Sequence, residues 1–293
     1  MEVKISEVRA NGYTFRCRSC GMENSGDLVV FLHGFPESSI MWQTLMLRLA
    51  EMGYRCFAPD QRGFSAGARP EGLEHYTHKK LLTDVLEMTG TLKHADRFHL
   101  VGHDWGAIVG WNIVMTAPKK VISFTAMAVP HTAAFSYCVA NDEQQHRLSQ
   151  YIFEYAPEDE PEERLGANEC AFLKKAKWDG FDSSLIDEYM TIFGKKEGLT
   201  ATLAWYRSCL LHLKTHEENR MPDNLEVRTP TLLLYGRYDP AVGNRACDMT
   251  EQYMKGYYRF VPMRCGHWMI ENNEEECTKE IVNHIEKFSS ERK

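Results

Sequence analysis

Arg97-Phe98-His99-Leu100-Val101-Gly102-His103-Asp104-Trp105-Gly106-Ala107-Ile108-Val109-Gly110 is the stretch whose reading decides the fold. An apolar run ends at Gly102, a tight Gly-His-Asp-Trp-Gly corner follows, and Ala107–Met115 continues as an apolar helix reaching Thr116. Gly102 and Gly106 flank the corner because a side chain at either place would collide with the neighbouring strand or helix. Asp104 stands at the tip, and two readings of it are open. Asp caps helices well, so the stretch fits an ordinary strand-to-helix turn with Asp104 as its N-cap. It also fits a nucleophile elbow, a sharp strand-to-helix turn that exposes the side chain at its tip. A carboxylate in that position would attack carbon and form an ester, which water must then cleave.

Outward from the corner, strands alternate with helices. Asp27–His33 is nearly continuously apolar, as expected of a strand buried on both faces. Ser38–Met52 reads as a helix with Met41, Leu45, Leu49 and Met52 on one face. Tyr54–Pro59 is a short strand, Asp60–Ser65 a polar glycine-containing loop, His75–Lys93 a helix with an apolar stripe, and Val121–Val129 a strand. Nearer the start, residues 3–20 alternate apolar and polar positions around Ala10-Asn11-Gly12-Tyr13, the pattern of a hairpin. Together these predict a mostly parallel, doubly wound α/β sheet covered on both faces.

The rhythm stops at Pro130. From His131 to Met221 the pattern is helical, broken by the acidic patch Glu158–Glu163, which reads as a solvated loop. Strand rhythm resumes at Thr229–Tyr235, followed by a helix at Ala246–Lys255, a strand at Tyr258–Pro262 and an amphipathic helix at Glu274–Phe288. The expected organisation is a core of residues 1–130 and 222–293. Residues 131–221 are inserted into it as a helical lid, large enough to form a small subdomain.

Composition narrows the function classes. A net charge of −7 spread over a mixed surface argues against nucleic acid, whose binders concentrate positive charge. Nine cysteines are an odd number, and seven are scattered singly, which points to a reducing compartment. Cys17 and Cys20 form a C-x-x-C, but it lies in the predicted hairpin without a second pair or nearby histidines, so neither zinc nor redox chemistry is expected there. The chain starts with charge at Glu2 and Lys4 rather than an apolar leader, and no apolar run approaches membrane-spanning length. A cytoplasmic soluble protein, monomer or homodimer, is the expectation. Neither a P-loop nor a dinucleotide fingerprint is present, so no cofactor or metal is expected.

Asp239 follows the strand Thr231–Tyr235 in Gly236-Arg237-Tyr238-Asp239-Pro240, and His267 follows Tyr258–Pro262 in Cys265-Gly266-His267-Trp268. Each alone fits a plain structural role, an Asp-Pro turn or a packed histidine. The order Asp104, Asp239, His267, each just past a strand, is the nucleophile–acid–histidine order of the α/β-hydrolase fold. Loops at the carboxyl ends of parallel strands converge on one crevice. His33-Gly34-Phe35-Pro36 occupies the loop that supplies one backbone N–H of that fold's oxyanion hole, and the residue after the tip supplies the other; here these are Phe35 and Trp105. The tetrapeptide also fits a simple turn in which Pro36 starts a helix.

With these residues assembled, the chain resembles the epoxide hydrolase and haloalkane dehalogenase branch of the α/β-hydrolases, with an inserted helical lid. The resemblance is carried by His-Gly-Phe-Pro at 33–36, the Asp60–Ser65 loop, Gly-His-Asp-Trp-Gly at 102–106, Asp239 and His267. Phe35 stands where haloalkane dehalogenases often place a halide-binding Asn. Leu-Ala-Trp-Tyr-Arg at 203–207 is similar to the epoxide hydrolase lid motif that carries one of two ring-opening tyrosines, here Tyr206. Ser149–Pro157 resembles the stretch that carries the other; Tyr151 matches best, with one residue fewer before the proline, and Tyr155 is the alternative. Arg62-Gly63-Phe64-Ser65 departs from the usual Arg-Gly-x-Gly-x-Ser loop.

The resemblance implies a cofactor-independent epoxide hydrolase. Asp104 would be the nucleophile, Tyr206 and Tyr151 the acids, and His267 with Asp239 the water-activating pair. The substrate would be a small apolar epoxide, contacted by Trp105, Phe35, Trp205 and Phe153. Phe135, Ile152, Phe153, Phe193, Leu199 and Trp205 suggest an apolar pocket in the lid. The alternatives are a haloalkane or haloacid dehalogenase using the same three residues, and a non-catalytic ligand-binding α/β-hydrolase.

Overall fold

The computed structural model describes residues 1–212 and 221–289. Residues 213–220, at the end of the predicted lid, lie outside the described residues. Eight strands form one sheet: β1 (Lys4–Ala10), β2 (Tyr13–Cys20), β3 (Leu28–Leu32), β4 (Arg55–Pro59), β5 (Phe98–His103), β6 (Val121–Met127), β7 (Thr231–Gly236) and β8 (Tyr258–Met263). Their spatial order is β1-β2-β4-β3-β5-β6-β7-β8. The pairs β1/β2 and β2/β4 are antiparallel, and every pair from β4 to β8 is parallel. The N-terminal hairpin turns at Asn11 and Gly12, both with positive φ, as its Asn-Gly sequence dictates.

Alternation along the strands divides the core into two layers. Leu28, Val30 and Leu32 of β3 point to one face and join one buried cluster, while Val29 and Phe31 join the other. Both faces are apolar, so the central strands read as continuous runs. The layers are closed by α1 (Gln43–Glu51), α2 (His78–Gly90), α3 (Trp105–Thr116), α10 (Asn244–Met249), α11 (Met269–Asn272) and α12 (Glu274–Phe288). α3 is buried almost all round, whereas α12 buries the single face Cys277, Ile281, Val282 and Ile285. Between β6 and β7 lie α4 (Thr132–Asn141), α5 (Glu143–Leu148), α6 (Gln150–Glu154), α7 (Glu160–Ala176), α8 (Ser183–Phe193) and α9 (Lys196–His212). Among the described residues no helix is long and apolar enough to cross a membrane, and the eight cysteines whose side chains are described are free and buried.

Two helices begin later than the periodicity predicts, and a third is divided. Ser39–Trp42 is a 3-10 turn leading into α1, and Leu73–Tyr76 is another ahead of α2, which Thr77 caps through Lys80 N–H. Likewise the predicted helix 246–255 divides into α10 and a 3-10 turn at Thr250–Tyr253. α7 is interrupted at Ala167–Cys170, where Asn168, Glu169 and Cys170 take positive φ.

The acidic patch is a correction of larger consequence. It is not simply a solvated loop, because Glu160, Glu162 and Glu163 form the first turn of α7, where the exposed N–H groups favour carboxylates. Glu162 is buried and meets Arg207 of α9 in a two-pronged ion pair, Nη1–Oε1 2.7 Å and Nη2–Oε2 2.8 Å. Arg207 also donates to the carbonyls of Tyr155 and Pro157, which pins the segment after α6 against α9. Arg207→Ala would leave the Glu162 charge buried alone, and we expect a loss of about 3–5 kcal/mol in urea unfolding. Replacing both partners by Met and Leu should restore most of it, since two apolar groups leave no stranded charge.

Candidate active site

At the end of β5 the backbone turns sharply at Asp104, with φ 52° and ψ −119°. Such a conformation costs a non-glycine residue about 1–3 kcal/mol and persists only where its surroundings enforce it. They do so by close approach. A Cβ on Gly102 would lie 2.4 Å from the Gly106 carbonyl, one on Gly106 2.1 Å from that of Leu32, and one on Gly34 2.3 Å from Asp104 Cβ. Asp104 occupies the N-cap position of α3 but makes no side-chain cap bond. The ordinary capping reading therefore fails. Oδ1 instead accepts from Phe35 N–H at 2.9 Å, and Oδ2 faces His267 Nε2 at 3.5 Å.

His267 follows β8, and its Nδ1 lies 2.7 Å from Asp239 Oδ2. Asp239 follows β7, and its Oδ1 accepts the N–H groups of Ala241 and Val242 at 2.7 and 3.1 Å. The fold thus brings the three candidates together. Burial alone would push His267 down, but the carboxylates of Asp239 and Asp104 outweigh it and raise the imidazole to about 10. Burial likewise opposes ionisation of Asp104, yet His267 and the Phe35 N–H together hold its pKa below the usual value. Both ring nitrogens of His267 face carboxylates, the arrangement of an imidazolium donating twice.

This ion pair has a pH signature. A histidine raised in the folded state contributes stability that is complete below its unfolded pKa of about 6.5. That contribution is lost as pH rises toward 10. The thermal stability of the native protein relative to His267→Gln should therefore shrink steadily between these limits, as read by melting temperature across a pH series.

Behind the triad lies a second set of buried groups that the sequence reading missed. His103 sits 2.9 Å from both Glu37 Oε2 and the His267 carbonyl. A carbonyl only accepts, so His103 Nε2 donates to it and Nδ1 is left to accept from a protonated Glu37. The environment agrees: burial pushes Glu37 up to about 7 and His103 down. Glu271 packs alongside, raised by burial and by Glu37. The signal was present, since Glu37 and His103 adjoin the two loop motifs, but their pairing spans 66 positions.

The helices between β6 and β7 set tyrosines opposite Asp104. Tyr206 of α9 lies edge-on to Tyr155 and Tyr151, with ring centroids at 5.1 and 6.2 Å, and to Phe35 at 5.5 Å. Burial, then the Asp104 charge, raises both Tyr206 and Tyr151 well above the usual phenol value. Tyr155 is raised to about 12, mainly by burial. Trp105 packs against the Tyr206 ring at 5.1 Å.

A cavity of about 330 Å³ is lined by Asp104, His267, Phe35, Tyr151, Tyr155 and Tyr206, and also by Lys177, Glu154 and Arg147. Of the four side chains expected to contact substrate only Phe35 lines it; Trp105, Phe153 and Trp205 do not. Phe153 is 49% exposed on α6, and the buried Trp205 donates its indole N–H to the Arg62 carbonyl at 2.8 Å, tying α9 to the 60–65 loop. None of the six lid side chains expected to form an apolar pocket lines this cavity; Phe193, for one, packs behind Phe35. The chamber is amphipathic rather than apolar.

A family model described as the α/β-hydrolase fold matches residues 27–274, and the chain belongs to that family. It is 29% identical over 272 residues to the AB hydrolase superfamily protein YfhM of Bacillus subtilis, covering 91% of this chain and 92% of that one. It is 28% identical over 277 residues to epoxide hydrolase 4 of Mus musculus, covering 89% and 73% respectively. A crystal structure of an epoxide hydrolase from Bacillus megaterium matches with a TM-score of 0.83 over 96% of this chain and 100% of that one; at 22% identity the likeness is one of fold.

Proposed function

We propose that this protein is an epoxide hydrolase that opens an epoxide to a vicinal diol through an ester on Asp104. The helices α4–α9 act as the lid that closes the chamber. The observation that carries the reading is the placement of Asp104, with Oδ1 tied to Phe35 N–H and Oδ2 turned toward His267, in a cavity that the tyrosines also line. Oδ2 attacks an epoxide carbon and the C–O bond breaks. Tyr206, assisted by Tyr151, gives its proton to the departing oxygen; a phenol stays protonated at neutral pH and suits this task.

Ester formation neutralises Asp104, one of the two carboxylates that hold the His267 proton. The imidazolium then gives that proton to the phenolate, and neutral His267, oriented by Asp239, takes one from water as the water attacks the ester carbon. Charge develops on Oδ1, where the Phe35 N–H already points and the Trp105 N–H supplies a second donor, worth about 3–4 kcal/mol each in comparable sites. Collapse of the intermediate releases the diol and returns a carboxylate and a proton, restoring the Asp104–His267 ion pair.

Diol formation from styrene oxide and aliphatic epoxides tests the activity. Tyr206→Phe should slow it by about 10²–10⁴-fold without any trapped ester, because the lost acid serves the first step. Tyr151→Phe should slow it more than Tyr155→Phe if Tyr151 is the second donor; the reverse order would transfer that role to Tyr155. Halide release from haloalkanes or haloacids with no diol from styrene oxide would reassign the protein as a dehalogenase.

A further inference from the structure

Lys177 lines the same cavity as Asp104 and His267 and has no role in the steps above. It follows the last turn of α7. Its position is fixed by its neighbour: Trp178 is buried, and its indole N–H donates to the Pro36 carbonyl at 3.0 Å, one residue from the Phe35 N–H that holds Asp104. The ammonium stands 6.0 Å from the centre of the Tyr151 ring.

The other charged side chains of the lining have ion-pair partners: Arg147 pairs with Glu143 at 2.7 Å, and Glu154 with Arg164 at 3.2 Å. Among the described residues no ion pair is formed by Lys177. Burial pushes its pKa down, and the more distant charges of Asp104 and Asp239 hold it up. Lys177 is partly buried, and an ammonium partly withdrawn from water without an ionic partner loses solvation that an arriving anion offsets. With about 330 Å³ available, near the lower end of ligand pockets, the anion and the reacting ring must belong to one short molecule.

We propose that Lys177 recognises a carboxylate on the substrate, so that the preferred substrates are short epoxy acids whose ring meets Asp104 and whose carboxylate meets Lys177 Nζ. This deepens the epoxide hydrolase reading and rests on it. A single carboxylate matches the single unpaired ammonium, and it replaces the small apolar epoxide expected from the sequence.

The test compares terminal epoxy acids, with one to four carbons between ring and carboxylate, against the matching neutral primary amides. At the best chain length kcat/KM should favour the acid by at least 10-fold, chiefly through KM. Lys177→Met should erase that acid-to-amide ratio and Lys177→Arg should keep most of it. In parallel, calorimetric titration with pentanoate and pentanamide reads Lys177 without any epoxide chemistry. Pentanoate should bind the native protein at least 10-fold more tightly, a preference absent in Lys177→Met. Equal treatment of acid and amide by the native protein in both assays, or a preference that survives Lys177→Met, overturns the inference while diol formation still stands. Pentanoate binding that needs Lys177, with no epoxide opened at all, overturns the epoxide reading and keeps the carboxylate site.

Discussion

His267→Gln protein mixed with excess styrene oxide should gain one hydroxyalkyl adduct on Asp104 and keep it. Attack needs no base: Asp104 is held ionised in the native site, and the Phe35 N–H that favours its carboxylate remains in the variant. The glutamine cannot take a proton from water, so ester hydrolysis should slow by about 10²–10⁴-fold while alkylation proceeds. Intact-protein mass spectrometry and peptide mapping would read the adduct. An unmodified His267→Gln protein would remove histidine from the second half-reaction alone and place it in the first.

Asp104→Asn should show the opposite pattern, with no adduct and turnover reduced by on the order of 10⁴-fold or more, as removal of a nucleophile does elsewhere. The fold should survive, since Asn tolerates positive φ and its carbonyl can still accept from Phe35 N–H. The substitution also removes one of the two carboxylates that raise His267, so the imidazole should titrate lower than about 10 in an NMR pH series. Residual turnover within 10-fold of native would contradict the assignment.

Much of this was legible along the chain because close packing leaves few residue choices. Gly102 and Gly106 could be read as obligatory before any coordinates, and the structure shows the carbonyls a side chain would strike. Asp239 and His267 were found by their places after strands, and the parallel register of β7 and β8 carries them to the same edge as Asp104. Facing of side chains inside short helices was not legible. Tyr151 and Phe153 both sit on the five-residue α6, yet one lines the cavity and the other is exposed; so short a helix offers no periodicity from which to choose. Pairings between distant segments were equally hidden. Glu162 meets Arg207 across 45 positions, and nothing local to an acidic patch announces a buried partner. Lys177 and Glu37 draw their significance from what surrounds them in space, which no single stretch records.

The central claim, a covalent ester on Asp104, is tested most directly by turning over epoxide in water enriched in ¹⁸O and mapping the label. Hydrolysis of the ester at its carbonyl carbon places the water oxygen in the Asp104 carboxylate, so repeated turnover should label the peptide containing Asp104 and no other carboxylate. Diol formed through many turnovers with Asp104 unlabelled would mean that water attacks the epoxide directly, and the account would fail.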